Sequence, residues 1–538
     1  MVPDQSSARS ASLVTATRAK SGLVRTASTY DAFVFALAAI SVGIMLSWGQ
    51  FFGTSSYPGA NILLALAIST LAALSIAWGY QHWGMVFPRS GGDFVFLSRG
   101  LHPGIGFGVN VVFVFMVAVS PALAMGIMQP LWVSFAAAIG TMTGIGALGD
   151  FANWLNGNPG FALIGTIPVV ITGIVGVFGL RAQLRWLGLL FVIGLVGGLI
   201  LIVALFLASP STFIDHLNSY AGVSADNVQS TAAKNGFAYG GFDLGQTFKL
   251  TNWFAASLFF VLVLTYIGGE IKNANRSFQR GMMGAILFSV VMTAIFGLAL
   301  DHAVDPQLQG ALAFNAFVAP TASTPNLPYA HELMRILWGA TGPTAILTIL
   351  GYLTMMAWVT IWWASLVPFA QRAVLAWSLD KLIPSSVSKV NPRYHTSLPS
   401  LLIACLMIEF FILAFAFFPG LRTIALLIPI YTMIGITMAV GIFFPYVRKS
   451  LFEQSVVGRS KLFGIPTMSV ACALGTIVMV VWTWLLWVDP VAAGTDRRPI
   501  VIVVILAALV AAYYFFLRSY RRRQGVDLSA TFKQIPIE

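Results

Sequence analysis

The chain has 538 residues, of which 58% are hydrophobic and only 9% charged. A soluble protein carries about 25% charged residues, so this composition excludes a soluble protein with a large core and points to a polytopic membrane protein. The net charge of +12 would suggest a nucleic-acid partner in a soluble chain; here the cations sit between long apolar runs and read as membrane topology, with the lipid bilayer as partner and no nucleic acid.

Residues 1–29 are polar and Ser/Thr-rich, with Arg9, Arg18, Lys20 and Arg25. They read as a disordered cytoplasmic tail; the first apolar run is too long for a cleaved secretory signal, and a transit peptide is open on composition. A spanning helix needs ~20 mostly apolar residues. Twelve stretches qualify: 31–53, 60–84, 104–131, 161–179, 185–207, 250–270, 281–302, 343–369, 398–418, 423–447, 467–488 and 499–517. Pro121 and Pro130 mark either a kinked third span or a boundary with an extra one. Charge decides between them. With twelve spans and a cytoplasmic N-terminus, only Lys234, Lys249, Arg335, Arg422, Arg497 and Arg498 of the thirty Lys and Arg lie outside. An extra span would put most of them outside, against the positive-inside rule. Stretch 132–149 is therefore expected as an outer re-entrant or surface segment, and both termini as cytoplasmic.

This divides the chain into a first half at 30–207, an extracellular loop at 208–249, and a second half at 250–447. A segment at 448–517 holds the last two spans, and 518–538 forms a C-terminal tail. The loop 208–249 is rich in Asn, Ser and Gly and is expected to be the least ordered outer part. Residues 328–335 with Trp338 suggest a short surface helix. Cys405 and Cys472 lie in apolar stretches and read as small buried hydrophobes.

Three motifs fail on inspection. His331-Glu332-Leu333-Met334-Arg335 has Arg335 where a zinc protease needs its second histidine, so no metal is expected. Asn275-Arg276-Ser277 is a glycosylation sequon on the cytoplasmic side. Gly104-Ile105-Gly106-Phe107-Gly108 lacks nucleotide-binding spacing and reads as close helix packing.

Two segments invite a helix to open within the membrane. Ser41-Val42-Gly43 lies about ten residues into the first span; Gly268-Gly269 follows Thr265-Tyr266-Ile267 in the sixth. Each glycine weakens a helix by about 1 kcal/mol relative to alanine. Backbone groups freed at that depth survive only where they are buried in protein or line a cavity. A half-helix N-terminus suits a carboxylate and unwound carbonyls suit a cation, and corresponding breaks in two five-helix halves favour a site over mere packing.

Pro88-Arg89-Ser90-Gly91-Gly92-Asp93-Phe94-Val95-Phe96-Leu97-Ser98-Arg99 resembles the first inner loop of amino-acid permeases of the amino acid–polyamine–organocation superfamily. Tyr266-Ile267-Gly268-Gly269-Glu270-Ile271-Lys272-Asn273 is similar to that family's sixth-helix motif. Residues 372–384, from Arg372 to Pro384, resemble the segment after its eighth helix, with His395-Thr396 following. The matches cover most of residues 30–450, whereas the last two spans carry no diagnostic motif. The resemblance implies an all-α, twelve-helix fold built as a five-plus-five inverted repeat (LeuT-like), with discontinuous helices 1 and 6. It implies backbone N–H groups of Ser41, Val42 and Gly43 on a substrate carboxylate, and the Thr265, Tyr266, Ile267 and Gly268 segment on its ammonium, with Tyr266 as an aromatic gate. Ser41-Val42-Gly43 has one glycine where relatives carry a Gly-Ser-Gly-like pattern.

Arg89, Asp93 and Arg99 are expected either to pair with neighbouring inner segments and favour one access state, or to be plain topogenic charges. Glu270 carries a coupling proton or pairs with Lys272, Arg276 or Arg280. Glu409, deep in the ninth span where a charge costs at least ~2.5 kcal/mol, is a neutral acid bonded to a neighbouring helix or a coupling group. Thr354, Thr360 and Ser365 complete a sodium site with first-helix carbonyls or serve as polar glue. The sequence thus reads as a plasma-membrane secondary transporter of amino acids, not an enzyme, without cofactor, driven by H+, Na+ or exchange. A non-transporting amino-acid sensor and a carrier of related amines or polyamines are the alternatives, and monomer and homodimer are both open. Tyr266, Met45, Trp358 and Phe113 are the expected lining of a site for a neutral, apolar or aromatic substrate.

Overall fold

The computed structural model describes residues 14–15, 22–221, 223–238, 240–319, 330–424, 426–492, 496–524, 526–527 and 532. Most of the expected tail 1–29, much of 518–538 and the His331 side chain lie outside them. Twelve helices are long and apolar enough to cross a membrane. They are α1 (Thr29–Ser56), α2 (Ile62–Val86), α3 (Pro103–Thr143), α4 (Asn158–Val177), α5 (Leu180–Phe206), α6 (Leu244–Tyr266), α7 (Ala274–Ala303), α8 (Ala345–Leu379), α9 (Leu398–Phe417), α10 (Leu427–Val447), α11 (Thr467–Val488) and α12 (Arg498–Arg523). All twelve expected spans are present.

The helices pack in a regular order. In the first four pairs each helix lies against its counterpart five places later: α1 on α6, α2 on α7, α3 on α8 and α4 on α9. Helix α11 joins α10 and α2, and α12 joins α3. Local chemistry fixes the ends. Ser28 and Asp31 form a reciprocal capping box at the start of α1, which satisfies two of the amide donors a helix start leaves over. Described residues near the two ends of the chain lie on one face, the face of the termini: Ala27 pairs with Ile271 beyond α6, and Phe532 lies under the Arg99 guanidinium 4.8 Å from its ring centre.

Several boundaries differ from expectation, among them the end of α8, at Leu379 where residue 369 was expected. Helix α3 runs unbroken through Pro121 and Pro130 to Thr143 and ends at Gly144 with φ +69, so 132–143 continues the span. At 1.5 Å per residue its 41 residues reach about 60 Å, twice the hydrocarbon core, and the excess projects from the face opposite the termini. The loop 208–249 contains helices Pro210–Ala221 and Ala225–Lys234. Few apolar residues suffice there because buried Val228 and Ala232 dock on the helix Pro306–Phe317, where Asn315 donates to the Val228 carbonyl at 3.0 Å. The expected surface helix is present at Ala330–Trp338, and α12 continues to Arg523.

Candidate functional site

Helix α1 breaks at Ser41. Its first segment ends at Ile40, Ser41 takes φ +59 and ψ 110, and a new turn starts at Val42 before a π-helical stretch at Met45–Phe52. Positive φ at a non-glycine residue is sparsely populated and persists only where the surroundings hold it. Here two helices do so. The Ser41 hydroxyl donates to the Trp358 carbonyl of α8 at 2.5 Å, and the Ser257 hydroxyl of α6 donates to the Ile40 carbonyl and, at 3.4 Å, to that of Ser41. Carbonyls released by the break are thus met by side chains of the second half, as membrane depth requires.

Helix α6 changes form beside this contact. It is α-helical over Leu244–Leu258 and 3-10 over Phe259–Tyr266, a run of eight where three or four is usual. Both first helices of the two halves therefore leave α geometry where they touch. A cavity of about 640 Å³ opens there, walled by Ile44, Trp48, Trp253, Phe260 and Trp362, with Ser120 and Ser257 among its polar groups. It extends to Arg422, Leu426 and Val491, on the face opposite the termini.

Of the four expected lining residues, Met45 and Trp358 are displaced by short steps, whereas Tyr266 and Phe113 are absent from the lining and lie together on the closed face. Ile44 faces the cavity where Met45 was expected, and Trp362 where Trp358 was, one helical turn along the same face of α8. Trp358 instead fills the space beside Gly43: a Cβ on Gly43 would sit 2.8 Å from Trp358 Cβ. The glycine of the first break therefore serves close helix approach, while its neighbours carry the altered backbone.

Thr265, Tyr266, Ile267 and Gly268 do not join Ser41, Val42 and Gly43. Helices α1 and α6 run antiparallel, with Ala27 beside Ile271 and Ile40 beside Ser257. Tyr266 is nine residues beyond Ser257, about 18 Å at the 3-10 rise of ~2.0 Å. These four residues pack on the inner-loop motif instead. Gly91 N donates to the Tyr266 carbonyl at 3.1 Å, Ser90 bridges Ile267, and a Cβ on Gly268 would lie 3.0 Å from the Arg89 carbonyl. The double glycine is a sound sign of close backbone approach, but it marks the end of α6. The change at Leu258–Phe259 carries no glycine; its only sequence signal is Ser257, a lone hydroxyl in the apolar run 254–264.

Those residues close the face that carries the termini. Asp93 accepts from Tyr80 at 2.6 Å, Thr437 at 2.7 Å and Tyr266 at 3.0 Å, joining α2, α10 and α6. The Tyr266 hydroxyl accepts from Asn110 at 2.7 Å, whose carbonyl accepts from Trp377 at 2.8 Å. Tyr266, Phe113 and Phe369 form an aromatic layer, with Tyr266 and Phe369 centred 4.3 Å apart. Arg99 makes a fully buried two-bond contact to Asp380, 2.6 and 3.0 Å. Glu270 does the same with Arg372 of α8, 2.8 and 3.2 Å, in place of Lys272, Arg276 or Arg280. Its carbonyl also accepts from Thr26 and Ala27. Of the two readings open for these charges, Arg99 takes the pairing one, across segments of the closed face, whereas Asp93 is held by hydroxyls.

Burial raises the Asp93 carboxyl above the ordinary aspartate range, opposed by the Tyr80, Thr437 and Tyr266 hydrogen bonds. A raised folded-state value means that the stability this group contributes is full below its unfolded value and is lost as pH rises through the folded one. Asp93→Asn is accordingly expected to flatten the pH dependence of thermal stability across that window. An unchanged profile in the variant would remove Asp93 from this role.

The remaining candidates are dispersed. Thr354 faces helix α5, where a Cβ on Gly197 would meet its hydroxyl at 2.1 Å. Ser365 donates to the Trp362 carbonyl of its own helix. Thr360 lies two residues from Trp362 and so on the opposite face of α8 from the cavity. The sodium site expected from these three and α1 is not assembled. Glu409 accepts from Thr166 of α4 at 2.5 Å, is not among the residues that line the cavity, and is in keeping with an acid bonded to a neighbouring helix.

No family model matches the chain. It is similar to the branched-chain amino acid permease BcaP of Bacillus subtilis (strain 168), 23% identical over 402 residues that cover 71% of this chain and 73% of the relative. The three permease motifs meet in the closed face and not around the cavity. With this relative and the twelve-span fold, the resemblance to amino-acid permeases of the amino acid–polyamine–organocation superfamily is borne out.

Proposed function

We propose that this protein is a secondary transporter that moves amino acids with apolar side chains by alternating access. The observation that carries this reading is the meeting of the break in α1 at Ser41 with the change of form in α6 just after Ser257, beside an apolar cavity that extends to Arg422 and Val491. The substrate carboxylate would take the first N–H groups after the break, at Val42 and Gly43, where the helix end is electropositive. The ammonium would take carbonyls of the turn at Ala256–Phe259, where α6 changes form, in place of the Tyr266–Gly268 segment. Trp48, Trp253, Phe260 and Trp362 offer aromatic walls and no acid, which suits an apolar side chain and disfavours polyamines. The name of the Bacillus relative agrees with that preference.

The excess of Lys and Arg on the side of the termini supports a cytoplasmic assignment for that side; the cavity would then face outward and the closed face would seal the interior. The test is uptake of labelled leucine and lysine into proteoliposomes under separately imposed proton and sodium gradients. Leucine uptake that lysine does not compete, enhanced by one of the gradients, is expected. Absence of uptake, counterflow and binding for every amino acid tried would overturn the reading.

A further inference from the structure

A second groove, of about 630 Å³, lies on the membrane surface between α2, the start of α7 and the segment leading into α11. All three meet at the face that carries the termini. Leu71, Leu74, Trp78, His82 and Met85 form one stripe of α2 along its floor, and Leu71 is 68% exposed. From Leu71 to His82 the stripe runs about 16 Å at 1.5 Å per residue, roughly one leaflet of a ~30 Å core. Its upper end is polar, lined by Gln81, Gln279, Ser460 and Thr467.

Gln81 is the telling residue. It is 98% buried, lines the groove, and its Nε2 has no hydrogen-bond partner. A buried amide donor left so is costly and calls for an acceptor from outside the chain. Charge gives the sign of that acceptor. Arg459 and Lys461 flank Ser460, Arg276 precedes Gln279 by one turn, and all three are exposed; the groove lining contains no Asp or Glu.

We propose that this groove holds one anionic phospholipid. Its phosphate or ester oxygens accept from Gln81 and from the hydroxyl proton left over by the Ser460–Thr467 pair, 2.8 Å apart, beneath the three cations, and one acyl chain lies along the stripe from Trp78 to Leu71. The ligand is chosen by the joint chemistry of a dry apolar trough and a cationic, donor-rich rim at the depth of lipid headgroups.

Native mass spectrometry of the full-length protein, with phosphatidylglycerol or phosphatidylcholine added, tests this without reference to transport. One phosphatidylglycerol per protein is expected to survive conditions that strip phosphatidylcholine. Each cation near the surface is worth about fivefold in binding, so the R459A/K461A variant should weaken retention roughly 25-fold. The R521A/R523A variant removes two charges on the same side at the end of α12 and should leave retention unchanged. Gln81→Leu removes a donor to oxygens that both lipids carry and should weaken retention of phosphatidylglycerol and phosphatidylcholine alike. Equal retention of both lipids by the unaltered protein, or equal losses in the two arginine-depleted variants, would show ordinary annular lipid and overturn the proposal.

Discussion

Leucine in place of Gly43 is expected to abolish substrate uptake while the protein still inserts and folds. The glycine lies against α8, with a Cβ at that position 2.8 Å from Trp358 Cβ and 3.4 Å from its carbonyl carbon. Those atoms belong to a backbone and the root of a large side chain, so they cannot swing aside. Overpacking of this kind costs about 1–3 kcal/mol, and here it also separates the Ser41 hydroxyl from the Trp358 carbonyl, which holds the break at φ +59. The cavity wall at Ile44 and the N–H groups of Val42 and Gly43 would move together. Binding of labelled leucine to detergent-purified protein is the measurement. Normal binding in Gly43→Leu would mean that the break tolerates a wider gap between α1 and α8 and that its geometry does not set the site.

The second large effect concerns the closed face. Glu270 and Arg372 are buried to within 3% of complete and joined by two hydrogen bonds. Removing one partner of such a pair typically costs roughly 3–5 kcal/mol, because a charge is left buried alone, whereas replacing both by apolar residues is often neutral. Arg372→Leu is therefore expected to lower the thermal midpoint sharply, and E270L/R372L to recover most of the loss. The pair also ties α6 to α8 and, through the Glu270 carbonyl, to Thr26 and Ala27. The single variant should admit a thiol reagent from the side of the termini to a cysteine placed at Phe113, in a background without Cys405 and Cys472. A double variant no more stable than the single one would show that the carboxylate and guanidinium act independently.

The twelve spans were legible because bilayer thickness imposes a length that hydropathy alone reveals, and Lys and Arg resolved the doubtful region after Pro130. The end of α3 was not legible, since apolar residues near a membrane surface look the same whether they continue a helix or turn along the bilayer. Ser41 was legible as a break through its glycine neighbour, although that glycine turned out to serve packing against Trp358. The partner of the break was missed. Gly268-Gly269 carries the stronger local signal, but antiparallel pairing of α1 and α6 sets Ser257 opposite Ile40, and depth along a partner helix is invisible to a motif. Glu270 was correctly suspected of pairing, yet its partner lies 102 residues away on α8, beyond the reach of helical spacing.

The 3-10 stretch of α6 has a mechanical corollary. Each residue there advances ~2.0 Å and turns 120°, against 1.5 Å and 100° in an α-helix. Rewinding the eight residues Phe259–Tyr266 into α form would shorten that arm by about 4 Å and twist its far end by close to half a turn. Ser257 would stay with α1, while the Tyr266 ring would swing out from between Asp93 and Phe369. On the proposed alternating access, a change of pitch confined to one short segment would draw the stopper out of the closed face, with no hinge in the rest of the helix.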